Sequence, residues 1–345
     1  MLRFNCDYSE GAHAKVLEKL IQTNLEQTAG YGVDPYCLKA ATLIKEKCNR
    51  KDADIHFLVG GTQTNLTVIS AALRPHQGVI SANTGHINRH ESGAIESIGH
   101  KVLALSSTDG KITANQIEAI CQEHFEDESF EHTVQPKLVY ISNPTELGTI
   151  YSKAELTEIS QACKKYDLFL YMDGARLGYA LCAEDNDLDL PMIAQLCDVF
   201  YIGGTKMGAL FGEALVITNE SLKKDFRYII KQKGGMLAKG RLLGLQFIAL
   251  FENDLYFEIA RHANKMAILI KEAFIKNGYD FLVPSTTNQQ FPIVPNEVLA
   301  KLKENFEYSF EKKIDDTHSA VRFCTSWATD LNAVQKLIEE IEKNN

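Results

Sequence analysis

The 345-residue chain has no apolar run near the ~18–20 residues of a membrane helix. It has no excess of basic charge either. Lys and Arg total 36 against 45 Asp and Glu, a net charge of −9. That balance argues against nucleic acid as a primary partner. No internal repeat and no low-complexity segment stands out. Eight cysteines are present (6, 37, 48, 121, 163, 182, 197 and 324), but none form C-x-x-C and none stand at zinc-ligand spacing with histidine. They read as small hydrophobes of a reducing compartment, and no metal is expected. The start, MLRFNCDYSE, lacks a basic n-region and an apolar h-region, so a cytoplasmic location is expected and no membrane association. Neither G-x-x-x-x-G-K-[ST] nor G-x-G-x-x-G occurs after a strand, which weakens an ATP or NAD reading.

With 45% hydrophobic and 23% charged residues, the chain has the composition of a globular protein of about two domains. From 55 to 217 short β-branched runs alternate with helical patterns. The runs fall at 55–60, 78–81, 101–106, 137–142, 168–173, 198–204 and 213–218, with helices at 64–73, 113–124 and 153–166. This alternation predicts an α/β fold, a mainly parallel seven-stranded sheet covered by helices. The charged stretch 123–132 reads as an exposed loop. Residues 221–277 read as long helices with one break near 233–237. Short strands in NQQFPIVP, EYSFEKK and AVRFCTSW and a helix at 331–343 then predict a smaller α+β domain. The expected division is 20–250 for the large domain, with 1–19 and 251–345 in the small one, the N-terminal helix near 11–25 packing there.

Four segments carry chemistry. In IHFLVGGTQTNLTVISAAL a strand runs through Gly60, Gly61 and Thr62 into a helix, whose first N–H groups can cradle an anion. In LFLYMDGARLG a buried strand ends in Asp173, with Arg176 three residues on; ligands of such sheets gather at the carboxyl ends of strands. In DVFYIGGTKMGALFG another strand ends in Gly-Gly, then Thr205 and Lys206. A lysine so placed is partly desolvated, which favours its neutral, nucleophilic form. In SANTGHINRHESGAIES, His86 opens a helix-like segment with Glu91 five residues later. Taken singly, each has an ordinary structural reading: a tight turn, a capping Asp, a surface lysine, a loop histidine.

The chain order of anion cup, histidine, strand-end Asp and strand-end Lys resembles fold-type I pyridoxal-phosphate enzymes. The strings GGTQTN, TGHINRHESGA, MDGARL and GGTKMG, with NLEQTAGYGVDPYC at 24–37, look like the threonine aldolase and β-eliminating lyase family over nearly the whole chain, about 4 to 325. The resemblance implies pyridoxal phosphate as cofactor. It implies that Lys206 carries the cofactor covalently, that Asp173 binds its ring nitrogen and that His86 stacks on the ring. Gly61, Thr62 and Gln63 would hold the phosphate, with Thr205 beside Lys206 and Arg176 near the cofactor hydroxyl and substrate carboxylate. Arg322 would grip that carboxylate, a task that suits a planar guanidinium. Tyr31 would reach the neighbouring subunit's site, His132 would contact the substrate hydroxyl, and Cys6 stands where a serine helps bind substrate.

Two further departures stand out. NPTELG (143–148) replaces an Asn-Thr-His-Asn type loop, and Leu237 replaces a phosphate-binding arginine, for which Lys239 or Arg241 are candidate substitutes. The implied activity is cleavage of the Cα–Cβ bond of L-threonine and L-allo-threonine to glycine and acetaldehyde, in a homodimer or homotetramer. The alternative is β-elimination or another amino-acid lyase reaction on the same fold. His86, His132 or a water they hold are open as the base.

Overall fold

The computed structural model describes residues 1–344. Its seven-stranded sheet contains β1 (Asp54–Leu58), β2 (Gln77–Ala82), β3 (Val102–Leu105), β4 (Gln135–Ser142), β5 (Phe169–Asp173), β6 (Val199–Gly203) and β7 (Glu213–Ile217). Each lies within two residues of its sequence-based expectation, because alternating short apolar runs and helical periods leave little choice of element type. The order is β1-β7-β6-β5-β4-β2-β3. Only β7 runs antiparallel to its neighbours, so the other six share one direction and their carboxyl ends line one edge.

Helices cover both faces, and each face has its own apolar core. Local chemistry starts them where the pattern demands. Thr113 and Ser152 each form a capping box with the Gln116 or Glu155 three residues on. The helix after Thr113 runs Ala114–Glu126, so the expected loop at 123–132 begins later than its charge suggested. Ile117, Cys121 and His124 form a buried stripe that carries the helix through the acidic residues, and a short 3₁₀ turn occupies Phe130–His132. The long helical region also has more breaks than expected. Asp225 and Asp254 adopt left-handed φ of 60° and 56°; the first separates Glu220–Lys223 from Phe226–Gln232 and the second Arg241–Phe251 from Leu255–Lys276, in addition to the expected break between Gln232 and Arg241.

A smaller antiparallel sheet joins Gln289–Gln290, Ile293–Pro295, Ser309–Lys313 and His318–Cys324. Leu2–Arg3 pairs with Phe306–Glu307, and Phe4 sits in this region's core. The helix Ala14–Gln22 does not. Its Val16 packs with Ala12 and Ala249 against Arg241–Phe251. The helix Leu255–Lys276 bridges the two cores: Tyr256 to Ala263 join the large one, Met266 to Phe274 the small one.

Candidate active site

The carboxyl ends of β5 and β6 are pressed together by glycine. A Cβ on Gly174 would lie 1.8 Å from the Tyr201 carbonyl oxygen, and one on Gly203 would lie 2.3 Å from that of Ala175. Gly203 N–H donates to Gly174 O at 2.9 Å across this contact. Only side-chain-free backbone permits this approach. It is the physical reason that D-G-A-R and G-G-T-K stand where they do, and it brings Asp173 and Lys206 to one place.

Asp173 is buried and fully engaged. Its Oδ2 accepts from Tyr140 Oη at 2.5 Å and Asn65 Nδ2 at 3.3 Å. Its Oδ1 accepts from Tyr201 Oη at 2.5 Å and Ala175 N at 3.0 Å. Burial and the Asp173 charge push both phenols well above their usual range, so they remain donors. Tyr171 donates to Asn65 Oδ1 at 2.6 Å, which turns the amide nitrogen toward Asp173 and Glu91. Glu91 Oε1 in turn meets His86 Nδ1 at 2.8 Å. Burial alone would depress the His86 imidazole; the Glu91 bond and the Asp173 charge outweigh it and raise its affinity for a proton.

Lys206 is the only cation of the GGTKMG turn, and its Nζ makes no hydrogen bond or ion pair with the described residues. Desolvation, then the Arg176 charge, lowers its pKa, against the pull of Asp7, Asp173 and Glu213. Beneath it, Glu213 accepts from Gly204 N at 3.0 Å and Thr205 Oγ1 at 2.9 Å. Burial raises the Glu213 carboxyl to about 8. Thr205 also accepts from Gly212 N at 3.0 Å, so its hydroxyl is committed to the turn.

Arg176 is almost buried and forms a two-bond pair with Asp7, Nε to Oδ2 at 2.7 Å and Nη2 to Oδ1 at 2.9 Å. Asn288 adds a third donor to Asp7 at 2.9 Å. Burial works to raise the Asp7 carboxyl, but the Arg176 and Lys206 charges hold it at about 2. Asp7, and not the adjacent Cys6, is the residue that engages Arg176; Cys6 Sγ lies 3.2 Å from Ser9 Oγ. Arg322 bonds Gln289 Oε1, Asn5 O and Ser309 Oγ through its Nη atoms, while its buried Nε has no partner. Gln289 Nε2 beside it is likewise an unused buried donor. Two hydrogen-bonded side chains thus each keep a donor unsatisfied.

The helix Gly61–Ala72 has no side-chain cap, and the N–H groups of Gly61, Thr62 and Gln63 have no partner among the described residues. That terminus suits an anion. The Gln63 side chain is turned away from this role, since Oε1 accepts from Val59 N and Nε2 donates to Lys233 O. Lys239 is exposed, and Arg241 is held by the carbonyls of Glu26 and Thr23.

Two expected residues do not join the cluster. His132 precedes β4, whereas Asp173 is paired in register with Ser142 at that strand's far end. Seven residues of strand at ~3.3 Å each put roughly 23 Å between the two ends. The expectation that His132 contacts substrate is therefore corrected for its own chain. Tyr31, at φ 60°, lines a separate cavity of about 40 Å³ with His56, Arg227 and Met236. The sequence reading had passed over Asp7, Tyr140, Glu146, Tyr201 and Glu213.

The fold is that of fold-type I pyridoxal-phosphate enzymes; an aspartate aminotransferase of Thermus thermophilus superposes with a TM-score of 0.73 at 14% identity, covering 100% of this chain and 92% of that one. Within that class the chain belongs to the beta-eliminating lyase family, which matches residues 7–296. A low specificity L-threonine aldolase of Pseudomonas aeruginosa is 30% identical over 344 residues, 98% of this chain and 96% of that protein. The structure of a threonine aldolase from Leishmania major has a TM-score of 0.97 and 47% identity, covering 99% of both chains.

The site fits pyridoxal phosphate on its own chemistry. It offers an uncapped helix start for a phosphate, a strand-end carboxylate for a ring nitrogen and an unpartnered lysine for an aldehyde. The Asn65 bond to Asp173, at 3.3 Å, is the weakest of that carboxylate's four and the one most easily given up.

Proposed function

We propose that the chain is a pyridoxal-phosphate-dependent aldehyde-lyase that cleaves L-threonine and L-allo-threonine to glycine and acetaldehyde. The observation that carries this reading is the half-buried, unpartnered Lys206, brought near Asp173 where the Gly174–Gly203 contact joins the two strand ends. Pyridoxal phosphate supplies the electron sink for negative charge at Cα. The chain's own residues do the rest. Lys206, whose hold on its proton is loosened by desolvation and the Arg176 charge, offers a nucleophilic amine. Asp173, held by two phenols and two N–H donors, keeps a negative charge fixed at the ring-nitrogen position. The half-buried Arg322 guanidinium, beside Gln289, holds the substrate carboxylate and so fixes which Cα bond stands perpendicular to the ring. His86, oriented by Glu91, covers one ring face.

We also propose a homo-oligomer, dimer or tetramer, with Tyr31 serving the neighbouring copy. Leu17, Ile21, Leu25, Tyr31, Val33 and Leu38 are all exposed on one stretch of chain, an apolar surface that a second copy would cover. Among the described residues no helix is long and apolar enough to cross a membrane. Eight unpaired cysteines, six of them buried, support a reducing, cytoplasmic location.

The test is product analysis. Glycine and acetaldehyde should appear from threonine and allo-threonine, and Lys206→Ala should abolish this. Borohydride reduction should leave a pyridoxyl adduct on Lys206. Oxo acid and ammonia from substrates with a β-leaving group, without glycine from threonine, would replace this reading with β-elimination.

A further inference from the structure

We propose that Glu146 takes the proton from the β-hydroxyl of the amino-acid substrate. This rests on the aldehyde-lyase reading above and names the base that reading leaves open.

Glu146 lies four residues past Ser142, the end of β4, beside the end of β5 that bears Asp173. Its Oε1 is anchored, accepting from His86 N at 2.9 Å and Ser142 Oγ at 2.7 Å. Ser142 Oγ also lies 3.4 Å from Tyr140 Oη, which donates to Asp173. The carboxyl is thus fixed between the histidine of the ring face and the aspartate of the ring nitrogen. It has no cationic partner among the described residues, and its Oε2 makes no hydrogen bond to them. Oε2 is not sealed in the core either, for it is absent from the buried unpartnered atoms. A desolvated carboxylate kept only for stability would be paired. This one keeps an oxygen free at the site.

The substrate's other groups are spoken for. Lys206 meets the amine's position, Arg322 and Gln289 the carboxylate, Asp173 the ring. The β-hydroxyl remains. His86 Nδ1 is occupied by Glu91, and His132 lies at the other end of β4. The step balances simply. The hydroxyl proton passes to Glu146 Oε2, the O–H bonding pair becomes the new C=O bond of the aldehyde, and the Cα–Cβ pair stays with Cα. One proton delivered to Cα then completes glycine.

The groups facing Glu146 are Asp173 on β5, Tyr140 and Ser142 on β4, His86 on the helix His86–Arg89, and Tyr151 beyond the turn. Burial raises its carboxyl, the Ser142 bond opposes this, and Asp173 adds to it against His86; the balance is upward. A carboxylate shifted toward neutral pH is the stronger base.

Glu146→Gln tests this, because Gln keeps an acceptor for His86 N and Ser142 Oγ and removes only the base. In the holoenzyme, kcat on L-threonine should fall by at least about 100-fold, the lower end of what general-base catalysis supplies, with KM changed only a few-fold. Exchange of the glycine α-proton with deuterated water, followed by NMR, needs no β-hydroxyl and should persist near the wild-type rate. Infrared pH difference spectra should show two carboxyls, Glu146 and Glu213, titrating above the ordinary glutamate range in the wild type, and only the Glu213 band in Glu146→Gln. Glu146→Asp should recover part of the lost kcat. Near-wild-type threonine cleavage by Glu146→Gln, a parallel loss of glycine exchange, or a variant spectrum that has lost neither of the two raised carboxyl bands would each overturn the proposal. A wild type that exchanges glycine yet releases none from any β-hydroxy amino acid would instead bring down the functional reading beneath it.

Discussion

Asp7, buried, and Glu146, half-buried, are acids of the same site, and their surroundings drive them in opposite directions. Asp7, on the extended N-terminal segment, meets the Arg176 fork and the Asn288 amide, and its proton is held off down to about pH 2. Glu146, past the end of β4, meets a serine hydroxyl and a backbone N–H, makes no ion pair with the described residues, and has beyond these bonds only the His86 imidazole to oppose burial, so its affinity for a proton rises. A carboxylate whose charge is matched is a structural tie. One whose charge is unmatched is a proton acceptor in waiting. Burial is common to both, so the partner decides the role.

The largest effect should come from breaking the matched pair. Asp7→Asn leaves the nearly buried Arg176 guanidinium, whose side chain is 12% exposed, without its counter-charge. We expect a loss of about 3–5 kcal/mol in stability, measured by urea denaturation near neutral pH. The pH dependence sharpens this. A carboxyl whose folded pKa is lowered from 3.8 to about 2 contributes stability that is present above the unfolded value and lost as pH falls through the folded one. That contribution is about 2 kcal/mol, and its acid-side loss should vanish in Asp7→Asn. A cost under about 1 kcal/mol would show that Arg176 does not depend on Asp7, and the contrast with Glu146 would fail.

Asp173 is a third case, a carboxylate matched by donors and no cation. In Asp173→Asn one oxygen becomes an amide NH₂. On either side it then faces two donors, Tyr201 Oη with Ala175 N, or Tyr140 Oη with Asn65 Nδ2. A phenol can turn its proton away; an N–H cannot. The fixed charge at the ring-nitrogen position is lost as well. We expect kcat to fall by more than ~10²-fold, the scale of a lost electrostatic contact in the transition state. The cofactor should remain bound, by absorbance. A kcat near the wild type would reduce Asp173 to a cap for the turn at Ala175.

The sheet was legible in the sequence because its signal is local. Runs such as LFLYM and DVFYI are short, apolar and separated by helical periods, and each residue reports its own burial. Lys206, Asp173 and Arg176 were legible for a related reason: they directly follow such runs, where the chain must turn at the carboxyl edge. The partners were not. Tyr140 and Tyr201 read as ordinary strand aromatics, yet they reach Asp173 from 33 and 28 residues away, and Asn65 from 108. No periodicity records such contacts. Glu213 and Glu146 did leave a trace, each a lone acid in an otherwise uncharged stretch, ALFGEALVI and SNPTELGTI, where a charge has no reason to be unless it is used. The edge rule could also have corrected His132, since a residue that precedes a parallel strand lies at the wrong end of it.

The smallest effect sharpens the comparison from the cationic side. Arg176 is tied to Asp7 by two of its donor atoms, whereas Arg322 keeps Nε unused and is held loosely, at 3.0 to 3.4 Å, by Gln289, Asn5 and Ser309. On the proposed reading, the matched arginine ties down the N-terminal segment and the unmatched one is left for substrate. Arg322→Lys should therefore retain the fold and the cofactor spectrum. It replaces a planar fork by a point charge that cannot make the same two parallel bonds. We expect KM for threonine to rise about 10-fold, near 1.4 kcal/mol, with a smaller drop in kcat as the carboxylate loses its fixed orientation. Glycine affinity, read by calorimetry, should fall by the same factor, because glycine presents the same carboxylate and no β-substituent. Equal weakening of the two ligands would place Arg322 at the carboxylate. Weakening of threonine alone would move it to the side chain, and unchanged binding of both would remove it from the site.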